Sequence, residues 1–282
     1  MANHLTGLDH AVIAVRDLAA AAAAFERLGF ALTPVGHHAE WGTADRCVMF
    51  AGDYLELIAA ESVGEEADAL RAFTERGDGL YTVSIGSADG AATGEALRAA
   101  GLSVPVARSL SRKLDDGKGT TLMYSEMPLP LDATPGVRSR VVQHITAERE
   151  RHPQWLEHSN TACGIASVTA IVDEPPALTA AWDVVFGPHA ATLTDETVTV
   201  HTGSGLIYLT RPDELTQLHP EAELDELPPP PALVALAVRV ADTDRAAAVL
   251  KANGVEFSRD REGTLRIPPS ETCGVFVEMI KG

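Results

Sequence analysis

Two residues in the first sixty, His10 and Glu56, have the types and setting to bind a metal ion. His10 stands inside the apolar run GLDHAVIAV, and Glu56 inside YLELIAA. An imidazole and a carboxylate delivered from two strands of one small unit are half of a divalent-metal site. A carboxylate in an apolar strand is costly to bury alone, so Glu56 needs a cation, a proton or a partner. For His10 the plainer reading is a hydrogen-bonded core histidine. For Glu56 it is an ion pair.

The elements that position these two residues follow from local pattern. Leu8–Val15 reads as a strand, with Asp17 placed to cap the helix that follows. The alanine-rich helix sets Leu18, Ala22, Phe25 and Leu28 near one face and ends at Gly29. Phe30–Val35 reads as a second strand and His37, His38, Glu40 and Trp41 as a polar turn. Arg46–Phe50 and Tyr54–Ala59 read as a hairpin about Gly52 and Asp53. The unit is β-α-β-β-β.

The same order recurs in GLYTVSIGSADGAATGEALRAAGLSV…TTLMYSEM…SRVVQHIT, in GIASVTAIV…WDVVFG…ETVTVHTGSGLIYLT, and in LVALAVRVADTDRAAAVLKANGVEF…GTLRIPP…GVFVEMI. Residues 61–79 read as a helical connector. Residues 152–160 join the second and third units. Residues 211–231, which include four consecutive prolines, read as a stiff linker. Arg108, Arg112 and Lys113, beside Asp115 and Asp116, read as a solvated loop.

The chain has 282 residues, a formal charge of −18 and 45% hydrophobic residues. That length suits about two domains, and the charge argues against a nucleic-acid partner. Three widely spaced cysteines suggest buried thiols in a reducing compartment. No signal-peptide pattern and no membrane span are read, so a cytoplasmic protein is expected.

On GLDHAVIAV…YLELIA and VVQHITAERERHPQWLEHSNTACGIA, the chain resembles the glyoxalase-like branch of the vicinal oxygen chelate superfamily. The resemblance implies an α+β fold: four tandem βαβββ modules in two cupped mixed β-sheet domains, as in glyoxalases, bleomycin-resistance proteins and extradiol dioxygenases. Residues 1–155 (modules 7–60 and 79–147) are expected to carry the metal site. Residues 160–282 (modules 164–211 and 232–281) are expected to be structural. Aligning the modules sets His10 beside Thr82, Ser167 and Ala235, and Glu56 beside His144, Tyr208 and Glu278. If the first two modules form one cup, His10, Glu56 and His144 converge on Fe, Mn, Zn, Co or Ni.

The function this implies is a metal-dependent lyase or isomerase acting on a small metabolite chelated through vicinal oxygens. Glu56 would move the proton, and Arg46, His38 and Trp41 would hold the substrate. An Fe(II) extradiol-type dioxygenase and a metal-free sequestering protein are the alternatives. A small molecule is the expected partner, with a homodimer as one option.

Overall fold

A computed structural model describes residues 2–149, 151–222 and 227–282. Residues 223–226, inside the expected linker, lie outside the described residues. The first module is β1 (Leu5–Ala14), α1 (Leu18–Arg27), β2 (Gly36–His38), β3 (Thr43–Met49) and β4 (Tyr54–Ala60). Helix α2 (Glu65–Thr74) leads to β5 (Gly79–Ser87), α3 (Gly90–Ala99), β6 (Arg108–Leu114), β7 (Thr121–Pro128) and β8 (Ser139–His144). A short α4 (Pro153–Leu156) precedes β9 (Ala162–Ile171), α5 (Thr179–Phe186), β10 (Ala191–Thr194), β11 (Thr197–His201) and β12 (Leu206–Thr210). After α6 (Leu215–Leu218) come β13 (Ala232–Val240), α7 (Thr243–Ala252), β14 (Ser258–Arg259), β15 (Leu265–Ile267) and β16 (Phe276–Lys281). The fold is four βαβββ modules.

Consecutive modules pair. The first two close into an eight-stranded barrel in the order β1-β4-β3-β2-β6-β7-β8-β5. The last two form an open sheet, β10-β11-β12-β9-β13-β16-β15-β14. Within each half the two leading strands run antiparallel at the centre, β1 against β5 and β9 against β13. Each leading strand also runs parallel to the last strand of its own module, which the intervening helix permits.

Side-chain alternation divides the barrel wall. Ala11, Ile13, Val48, Leu55 and Leu57 face outward into one core shared with Phe25, Trp182, Val185 and Leu250 of the helices and with the second sheet. His10, Glu56 and Val12 face inward. Asp17 caps α1, accepting from the N–H groups of Ala19 and Ala20. Gly29, at φ +93°, turns the chain after the helix in a conformation that disfavours a side chain.

Two local expectations change. Phe30–Val35 is not a strand: Phe30 enters the core, Pro34 has no N–H to give, and Thr33 ties to β3 through its backbone N–H and its hydroxyl. The ladder begins instead at Gly36, so His37 and His38 sit in β2. Residues 108–114 are not a solvated loop but β6, which seals the barrel against β2 through Gly36↔Leu114 and His37↔Lys113. Leu110, Arg112 and Leu114 alternate inward there, a pattern hidden in the sequence by interleaved polar residues. All three cysteines are free, but only Cys47 is buried, and Cys163 is exposed. Among the described residues no helix is long and apolar enough to cross a membrane.

Candidate metal centre in the first barrel

The polar interior of the barrel opens as a cleft between β1, β4 and β8 on one wall and β2, β6 and β7 on the other. Bodies the size of water have a cavity of about 30 Å³, room for one or two. Counting its open mouth, the cleft holds about 510 Å³ of empty space.

His10, Glu56 and His144 all line this cleft. His10 Nε2 lies 3.5 Å from Glu56 Oε2. His144 Nε2 is directed to Asp9 Oδ1, at 3.0 Å. Asp9 also accepts from His10 Nδ1 at 2.6 Å. Strict alternation would send Asp9 to the opposite face from His10, but a register shift in β1 between Leu8 and His10 brings both to the histidine cluster. One ligand atom each from Asp9, His10 and His144 lie within 4.8 Å of one another, and the same holds for His38, Asp45 and Glu56. Tyr54 stacks on His10 with ring centroids 4.2 Å apart and fixes its plane.

Electrostatics sort these groups. Burial would raise the Asp9 carboxyl, but His144 and His10 overcome it and hold the group well below the usual range. Burial lowers His10 against the pull of Asp9. It takes His38 down to about 4, aided by Arg112 and Arg140. Glu56 is pushed up to about 8 by burial and then by the negative charge of its neighbour Asp45, so near neutrality this carboxyl carries a proton.

Two buried arginines face the same space. Arg112 Nε donates to Asp45 at 2.7 Å and its NH2 to Thr33 Oγ1 at 3.2 Å. Arg140 reaches Glu126 at 3.3 Å and Glu66 of α2 at 2.9 Å, and its guanidinium lies 5.0 Å from the Trp41 ring. Tyr124 stands opposite His144 across the β7–β8 ladder, its phenol pushed up by burial and by Glu56.

Of the three expected substrate residues, His38 and Trp41 line the cleft. Arg46 does not. With Asp45 and Cys47 inward, alternation turns Arg46 outward, where it donates to the Thr33 carbonyl and pairs with Glu26 of α1 at 3.2 Å. Sequence reasoning missed Asp9, Asp45, Arg112 and Arg140. Arg140 was reachable, since it stands two and four residues before Val142 and His144 and shares their face. Asp9 was not, because only the bulge turns it inward.

Trp155 packs on Cys47, Met49, Leu114 and Leu122. His158 accepts from the Ala31 N–H and bonds the Met49 carbonyl, and Asn160 bonds the Leu28 carbonyl. These residues pin the connector to the first half and do not line the cleft.

The pairing of β-α-β-β-β units around a polar cup with histidine and carboxylate donors defines a protein of the vicinal oxygen chelate superfamily. A family model described as a glyoxalase-like domain matches residues 8–186, and the chain belongs to that family. No curated protein matches the chain. Similar solved structures include a hypothetical protein from Staphylococcus aureus, at 11% identity over 98% of this chain and 99% of that one, with a TM-score of 0.68. A mutant 4-hydroxymandelate synthase from Streptomyces coelicolor aligns at 13% identity over 98% of this chain and 92% of that one, TM-score 0.59. A xylose isomerase-like TIM barrel/4-hydroxyphenylpyruvate dioxygenase fusion protein aligns at 14% over 98% of this chain and 49% of that one, TM-score 0.57. At such identities the likeness is one of fold.

Proposed function

We propose that this protein is a metal-dependent enzyme of the lyase or isomerase class, acting on a small metabolite through two vicinal oxygens. The observation that carries this reading is the 3.5 Å approach of His10 Nε2 to Glu56 Oε2, with His144 on the same wall. Two ligand atoms each about 2.0–2.2 Å from one ion stand roughly 3–3.5 Å apart, so the pair is spaced as ligands are. The donor set, two imidazoles and a carboxylate, suits Fe, Mn, Zn, Co or Ni.

His10 and Glu56 would hold the ion, His144, here turned to Asp9, would swing in as the third ligand, and Asp9 would orient His10 through Nδ1. A bound divalent ion would supply Lewis-acid polarisation of a substrate oxygen. The chain's own residues do the rest. Glu56, on loosening from the ion, would take up and return the proton, with Asp45 beside it. Arg112 keeps Asp45 in place. Arg140, whose charge is felt by Glu56, His10 and His38, stabilises negative charge developing in the cleft. A second reading, an Fe(II) extradiol-type dioxygenase, is favoured by the same donor set, because two histidines and one carboxylate with open positions suit non-haem iron.

The chemistry is assigned to residues 1–155, with 160–282 as scaffold. In the second sheet the position equivalent to Glu56 is occupied by Glu278, which is bonded by His219 at 3.0 Å and Arg266 at 3.0 Å. His219 in turn meets Thr169 at 2.7 Å, so that cup is filled by its own chain.

Metal analysis of protein purified without added metal, paired with His10→Ala, tests the assignment. One equivalent of zinc, manganese or nickel, lost in the variant, fits the lyase or isomerase. Iron with oxygen uptake on catechols transfers the assignment to the dioxygenase. Metal-free protein that still binds small molecules after His10→Ala removes both.

A further inference from the structure

The wall of the cleft facing the histidines carries a donor that no other described residue uses. Trp41 is 6% exposed and lines the cleft, and its indole Nε1 is buried without a hydrogen-bond partner. A buried donor left unpaired is costly, so such a group marks where a ligand's acceptor sits. Its position is fixed. Trp41 N–H donates to the His38 carbonyl, the Trp41 carbonyl accepts from Ala67 of α2, and a side chain at Gly64 would strike that carbonyl.

Guanidiniums crowd the face of the indole. Arg140 and Arg108 both lie over the Trp41 ring, at 5.0 and 5.8 Å. Their carboxylate partners are shared: Glu126 serves Arg140 and Arg108, and Glu66 serves Arg140 and Arg138. Three guanidiniums share these two carboxylates, and Glu40, bonded by Ser111, adds a third negative charge that reaches His38.

We propose that Trp41 Nε1, with Arg140 and Arg108, forms a subsite for a carboxylate of the substrate, distinct from the oxygens that face His10. The inference rests on the metal-chelating reading above and adds to it: the substrate is a small acid with vicinal oxygens at one end and a carboxylate at the other. An unpartnered planar donor beside two guanidiniums suits the single charge of a carboxylate, whereas a phosphate dianion would need more donors.

Calorimetric titration of the Zn(II)-loaded chain with protocatechuate, its uncharged amide and catechol tests this. These probes share the vicinal oxygens and differ in the distal group. Protocatechuate is expected to bind about tenfold or more tighter than the other two, a charge-assisted bond being the difference. Trp41→Phe, which keeps a ring but loses the N–H, should remove most of that preference. Arg108→Gln, at an exposed side chain that puts folding at little risk, should reduce it about threefold and weaken its salt dependence. Equal affinity for all three probes, or a preference untouched by both variants, overturns the subsite and leaves the chelating reading standing. A protocatechuate preference that is the same with and without zinc supports the subsite and overturns chelation. No binding of any probe overturns both.

Discussion

Glu56 is where burial and chemistry meet. Its carboxyl is raised from 4.5 to about 8, with burial the first cause and Asp45 the second. Below about pH 4.5 the folded and unfolded states both hold the proton, and its contribution to stability is fully present. As pH rises toward 8 the unfolded chain ionises while the folded one does not, so that contribution is lost. The metal-free protein should therefore show a falling urea midpoint between pH 5 and 8, and Glu56→Gln should flatten the fall. An unchanged slope in the variant would move the titration to another group. The same proton competes with metal, because a carboxylate ligand must be deprotonated. Zinc affinity, read by competition with a chelating dye, should climb with pH up to about 8. Asp9→Asn should lower it by roughly 10–100-fold, as losing the group that orients a ligand histidine does.

The element that decides the site is β6. Without it the first half would be an open cup like the second. With it, Arg112 enters the interior and pairs with Asp45 at 2.7 Å, both groups buried. Removing one member of a buried pair costs about 3–5 kcal/mol, since the other charge stays behind uncompensated. Arg112→Gln should lower the unfolding free energy by that amount, read as a lower denaturant midpoint at unchanged m. Gly36 belongs to the same joint. A Cβ there would collide with Arg112 Nε and with Asp45, so Gly36→Ala should also destabilise, by about 1–3 kcal/mol. The sequence concealed this joint for a physical reason. Arg108–Leu114 carries its apolar alternation on two leucines only, and the third inward position is an arginine acceptable solely because Asp45 meets it.

At the scale of the molecule, the two halves share their core. The outer wall of the barrel and the second sheet contribute to one apolar cluster, which takes in α1, α5 and α7. Polar ties cross the same boundary: Leu8 N–H to Thr202 Oγ1 at 3.1 Å, Ser204 Oγ to the Leu8 carbonyl at 3.0 Å, and Ile165 N–H to Asp53 at 2.9 Å. The Leu8 contacts lie two residues from His10, so the second half supports the strand that presents the candidate ligand. Unfolding should accordingly be one cooperative transition, with calorimetric and van't Hoff enthalpies equal. Two separated transitions would show that the halves fold independently.

The sequence alone determined the module, its four-fold repetition, and the presence of His10, Glu56 and His144 on strands, because two-residue alternation and helix caps are local properties. It could not determine which residues would surround them. The bulge that turns Asp9 inward, the buried Asp45–Arg112 pair that closes the barrel and the outward turn of Arg46 all depend on a partner distant in sequence. Charge in a strand reads as solvated until a counter-charge is placed opposite it, and only the tertiary structure places one.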